Sequence, residues 1–119
     1  MQVAVLGASN KTDRYSYKAV MMLRDHGHVP IPVHPALSAI EGIAVVPTLG
    51  RITAPVDTIT VYLSPANQAG VAADMLASPA RRIIFNPGTE NPELEQRLTA
   101  AGKQVLHACT LVMLTTGQF

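Results

Sequence analysis

The sequence predicts an α/β fold in three layers, with helices on both faces of a mainly parallel sheet. Three observations predict it. Short apolar runs ending in Gly, Pro or Ser alternate with segments of helical periodicity. The runs are continuous in apolar character, as suits strands buried on both faces. The core must be aliphatic, because the 119 residues include only two Phe, three Tyr and no Trp.

The first run, Val3-Ala-Val-Leu6, ends in Gly7, and a polar loop from Ala8 to Asp13 leads into a helix from about Arg14 to His26. Tyr15, Ala19, Met22, Leu23 and His26 share helical spacing there, and Gly27 is a stop signal. Val29-Pro-Ile-Pro-Val33 is a second strand whose two prolines weaken its ladder, so either it is an edge in places or its neighbours tolerate missing N–H donors. The stretch from Ile40 to Val46 is expected to hold a short third strand. Asp57 to Leu63, rich in β-branched residues, is the fourth. Ser64-Pro65 then reads as an N-cap with proline at the first helical position, starting a helix to about Ala77. Arg82-Ile-Ile-Phe85 is the fifth strand, Asn91-Pro92 caps a helix reaching Ala101, and Gln104 to His107 is the last strand. Length and the absence of linkers or repeats predict one domain over residues 1–119. The apolar Leu111-Val-Met-Leu114 is expected to pack on the core, with a homodimer contact left open.

Composition excludes several classes. A net charge of +1 does not suit a general nucleic-acid binder. One cysteine, Cys109, allows no internal disulfide and no multi-cysteine metal site. No apolar run approaches a membrane span, and strand-like residues begin at Gln2 where a signal peptide would stand, so the expectation is a soluble cytoplasmic protein.

Ligands of open parallel sheets sit outside the carboxyl ends of the strands, near the reversal of strand order. The residues expected on that rim are Gly7-Ala8-Ser9, His34-Pro35, Ser64-Pro65-Ala66 and Asn86-Pro87-Gly88. The first loop lacks the three glycines of a dinucleotide fingerprint, and the second strand ends in Val33-His34-Pro35 without the acid that would hold NAD ribose. A Walker loop is excluded by the same residues. Backbone amides from Gly7 to Asn10, with Lys11, Arg14 and Lys18, still suit a phosphate-containing ligand. Gly7→Val is expected to abolish ligand binding and leave the fold near intact.

No catalytic set assembles. His26 and His28 flank a helix end, His107 closes the last strand, and Glu90, Glu93 and Glu95 suit the dipole of a helix start. Cys109 has no base beside it in sequence, so it reads as a small buried residue, with a mixed disulfide to a thiol cofactor as a minor alternative.

Three segments together, Gly7-Ala-Ser-Asn-Lys-Thr-Asp-Arg-Tyr-Ser16, Val33-His-Pro35 and Asn86-Pro-Gly-Thr-Glu-Asn-Pro92, resemble the small stand-alone CoA-binding domain proteins. These are similar to the N-terminal CoA-binding domain of the succinyl-CoA synthetase α subunit, and the likeness runs from about Val3 to Phe119. It implies a Rossmann-like fold that binds coenzyme A or an acyl-CoA. It carries over Gly7, Ala8, Ser9 and Asn10 as the phosphate loop, followed by Lys11 and Arg14. Val33, His34 and Pro35 fall beside the adenosine part; Ser64 and Pro65, then Asn86, Pro87 and Gly88, complete the cofactor-binding set. His34 departs from the Asn of many relatives. The phosphohistidine and ligase chemistry of the synthetase belong to a second domain, so no ligase activity, and no enzyme, is expected. The alternative is an enzyme after all, a nicotinamide-dependent oxidoreductase fragment or a CoA-ligase component needing a partner chain.

Overall fold

The computed structural model describes all residues from Met1 to Phe119. Five strands form one parallel sheet in the order β2-β1-β5-β6-β7: β1 (Gln2–Leu6), β2 (Val29–Val33), β5 (Thr58–Val61), β6 (Arg82–Phe85) and β7 (Gln104–His107). A separate antiparallel hairpin holds β3 (Ala39–Ile40) and β4 (Ile43–Ala44). Four helices complete the chain: α1 (Tyr15–Asp25), α2 (Ala72–Ala77), α3 (Pro92–Ala100) and α4 (Thr110–Thr115). This is the three-layer Rossmann-like α/β arrangement expected.

The central strands are buried on both faces, which explains their unbroken apolar sequence. Every residue of β6 is buried, as is every residue of β5. One face packs Ile83, Phe85, Met75, Leu94 and Leu98 beneath α2 and α3. The other packs Val3, Val5, Val20, Leu23 and Leu114 beneath α1 and α4. The C-terminal run therefore meets the core through Leu114, while Val112 stays exposed. The buried stripe of α1 is Ser16, Ala19, Val20 and Leu23. It is rotated from the expected one, because Tyr15 projects outward with Lys18 over its ring at 5.5 Å.

The prolines of β2 are explained by hydrogen bonding. Val29 donates to the Met1 carbonyl and Ala8 to the Val33 carbonyl, so alternate residues face β1 while Pro30 and Pro32 face outward. Their outer side is covered by Val46, which donates to the Pro32 carbonyl and accepts from the His34 amide in a parallel bridge.

Two elements differ from expectation. The third strand is replaced by the β3–β4 hairpin, because Glu41 (φ 48°) and Gly42 (φ 78°) both take the left-handed conformation of a primed turn and reverse the chain. The helix expected from Ser64 to Ala77 begins instead with two 3₁₀ turns, Pro65–Asn67 and Ala69–Val71. The cause lies at Gln68, which is fully buried and points inward to bond the Leu63 carbonyl of its own loop and the Thr89 carbonyl of the loop after β6.

At the amino end of the strands, Arg82 donates to Thr58 Oγ1 and the Phe119 carbonyl, with the Phe119 ring 4.5 Å from its guanidinium. The same ring meets His28 edge-on at 5.0 Å. No helix is long and apolar enough to cross a membrane.

Candidate functional site

Strand order reverses between β1 and β5, since β2 lies on one side of β1 while β5, β6 and β7 follow on the other. A cleft of about 560 Å³ opens at the carboxyl ends there. Its floor is the turn after β1. Gly7 (φ 87°) takes a conformation that side chains resist, and a Cβ on it would stand 3.0 Å from Leu63 Cδ2 and 3.2 Å from the Leu63 amide nitrogen. A side chain here would strain the turn and press on Leu63 where the loops after β1 and β5 meet. The expectation that Gly7→Val would spare the fold is corrected by this contact.

Beyond Gly7, Ala8 is buried and its amide donates to the Val33 carbonyl at 3.2 Å. The Lys11 amide donates to Ser9 Oγ, and the Arg14 amide to the Lys11 carbonyl. The chain then enters α1 with no side chain capping it and no acid in the first turn. The positive end of α1 is therefore open toward Ser16, Tyr15 and Arg14, which line the cleft.

The electrostatics are one-sided. Lys11 and Arg14 line the cleft, no Asp or Glu does, and neither cation makes an ion pair. On the rim after β6, Glu90 Oε1 accepts from the Gly88 amide at 2.8 Å. Such a surface attracts an anion.

His34 has a structural task. Its Nδ1 accepts from the amides of Ala36 (3.0 Å) and Leu37 (3.1 Å), which assigns the ring proton to Nε2. An imidazole nitrogen here does what an Asn side-chain oxygen would do.

The rims after β5 and β6 are tied together. Gln68 Nε2 donates to the carbonyls of Leu63 (2.9 Å) and Thr89 (2.7 Å), and Asn91 Nδ2 donates to Gln68 Oε1 (3.0 Å). Asn86 is buried; its Nδ2 donates to Thr60 Oγ1 and the Val61 carbonyl, and its Oδ1 accepts from the Thr110 amide. Tyr62 forms part of the wall with its hydroxyl buried near Thr60 and Thr110 and without a hydrogen-bond partner. Burial, with Cys109 adding to it, pushes its phenol far above the ordinary tyrosine range.

Of the residues expected at the site, Gly7, Ala8, Ser9, Asn10, Lys11, Arg14, His34, Ser64, Pro87 and Gly88 line the cleft together. Val33 and Asn86 lie buried behind the wall, while Pro35 is exposed outside it. Pro65 faces a separate hollow with Gln68 and Arg97. Tyr15, Ser16, Leu37, Tyr62, Leu63 and Thr89 were not expected, yet they line the cleft. Each is within two positions of an expected residue or in the first helical turn, which is the signal that could have found them.

The one His–carboxylate pair, His107 with Glu95, lies on β7 and α3, away from the cleft. Cys109 is half-buried and does not line the cleft. Glu95 also accepts from the Asn91 amide while Asn91 caps Leu94, so Glu95 serves as a cap at the start of α3.

Open parallel α/β sheets take their ligands in the crevice at such a switch point. The family model described as CoA binding domain matches residues 1–115, and the chain belongs to that family. It is 30% identical, over 88% of its own length and 78% of the other's, to Uncharacterized protein YneT of Bacillus subtilis (strain 168). It superimposes with a TM-score of 0.92 on the crystal structure of an uncharacterized protein, at 40% identity, covering 99% of this chain and 97% of that one. It also shares its fold, at 20% identity and a TM-score of 0.77, with the dinucleotide forming Acetyl-coenzyme A synthetase 1 of Ca. Korarchaeum cryptofilum. That match covers 90% of this chain and 25% of the synthetase.

Proposed function

We propose that the switch-point cleft binds coenzyme A or an acyl-CoA, and that the chain is a binding module without catalysis of its own. The observation that carries this is the acid-free lining, in which Lys11, Arg14 and the uncapped start of α1 converge on one side of the cleft. These groups would take the phosphates, with the amides of Ser9 and Asn10 adding donors. His34 and Leu37 would border the adenosine part, and Ser64, Pro87 and Gly88 the opposite rim. CoA carries one more phosphate than NAD and needs no ribose-binding acid, which matches a lining that has none.

The absence of catalysis rests on side chains at hand. The cleft presents no carboxylate and no thiol, and its one imidazole already accepts two amides through Nδ1. A thermal-shift comparison of CoA, acetyl-CoA, NAD and NADP tests the proposal. CoA and acetyl-CoA should raise the melting temperature in a concentration-dependent way. Stabilisation by NAD without stabilisation by CoA would overturn it.

A further inference from the structure

We infer that His34 sets the specificity of the cleft for a phosphorylated ribose, donating from Nε2 to the 3′-phosphate that distinguishes CoA from dephospho-CoA. His34 is held at two points. Its backbone amide donates to the Val46 carbonyl at 3.0 Å, and its Nδ1 accepts from the amides of Ala36 and Leu37. Pro35, which follows it, has no amide to compete, so both donors of the turn fall to one ring nitrogen. With Nδ1 accepting twice, the ring hydrogen sits on Nε2. That nitrogen makes no hydrogen bond within the protein, and the half-buried ring lines the cleft. The donor is therefore fixed in place before any ligand arrives.

The turn by itself does not call for histidine. An asparagine oxygen would accept the same amides and leave nothing that reaches further. What histidine adds is the Nε2–H group on the far side of the ring.

The position of that donor names its acceptor. His34 directly follows β2, the strand beside β1 and on the opposite side of it from β5. In doubly wound sheets the end of this strand meets the ribose of a nucleotide. An acid there accepts from ribose hydroxyls, whereas a basic donor there takes a ribose phosphate. Here the position carries a fixed N–H, and no Asp or Glu lines the cleft to accept from a hydroxyl. Resting on the reading of the cleft as a CoA site, the pyrophosphate occupies Lys11, Arg14 and the start of α1. The remaining phosphate, on the ribose, then falls to His34.

Titration calorimetry with CoA and with dephospho-CoA tests this on the wild-type chain, His34→Asn and Arg14→Ala. The wild-type chain should bind CoA about tenfold or more tightly than dephospho-CoA, the size of one charge-assisted bond. His34→Asn, which keeps an acceptor for the turn, should reduce that preference to about twofold or less. Arg14→Ala should weaken both compounds and keep the preference, because both carry the pyrophosphate. A long-range ¹H–¹⁵N spectrum of the wild-type imidazoles needs no variant and should show His34 with its hydrogen on Nε2. Equal affinity for the two compounds, a preference undiminished in His34→Asn, or a hydrogen on Nδ1 would each overturn the inference and leave the CoA reading standing. Binding of neither compound by the wild-type chain would overturn that reading, and the inference with it.

Discussion

Arg14 and His34 have different work, and substitution separates them. Arg14 makes no ion pair and lines the cleft, so Arg14→Ala should weaken CoA about tenfold or more without lowering stability. The loss should shrink as salt rises, because the lost contact is charge-assisted; titration calorimetry at two ionic strengths reads both effects. His34→Ala should instead cost about 1 kcal/mol in urea unfolding, by orphaning the Ala36 and Leu37 amides. His34→Asn should recover most of that loss, since an amide oxygen can accept in place of Nδ1. Residue identity on the rim was legible from the rule that ligands sit after strand ends. The accepting role of His34 was not, because it depends on how two later amides fold back on the ring.

At the scale of elements, the carboxyl rim is a set of loops held by side-chain amides. Gln68 joins the loop after β5 to the loop after β6, and Asn86 joins β6 to the start of α4. Gln68→Ala should leave the Leu63 and Thr89 carbonyls unpaired and cost about 2 kcal/mol or more. It should also weaken CoA, because Ser64 and Gly88 stand on the two loops it connects. Urea unfolding alongside calorimetry checks both. The strands were legible from their apolar runs, since burial on two faces writes itself into sequence. The hairpin was not, because Glu41 seldom takes a positive φ and the run from Ile40 to Val46 reads as continuous. The 3₁₀ turns were hidden for a related reason: a Pro after a Ser signals a helix start and says nothing of a buried glutamine three residues on.

For the whole molecule, the amino end of the sheet sets the response to acid. Burial lowers the His28 pKa below the usual 6.5, helped by the nearby positive charges of Met1, His26 and Arg82. A histidine that resists protonation when folded stabilises the chain above pH 6.5, and that contribution is lost as pH falls toward its folded value. Burial also acts on Asp57, in the raising direction, but bonds from Thr58 and Arg81 and the guanidinium charges outweigh it and leave its pKa lowered. Its stabilisation is present above the ordinary aspartate value of 3.8 and fades below it. The melting temperature should therefore fall in two stages on acidification. His28→Phe should remove the first stage and keep the second. The strand order itself was beyond sequence, because pairing of β1 with β5 is a contact across more than fifty positions that no local pattern records. That order creates the switch point, and the switch point creates the cleft.

The most direct test of the central claim is an amide ¹H–¹⁵N spectrum recorded as CoA is added. The account predicts the largest shifts at Gly7 to Lys11, Tyr15, Ser16, His34, Ser64 and Gly88, around one cleft. Shifts gathered at Gln96, Thr99 and Val105 to His107, with the Gly7 loop unmoved, would contradict it.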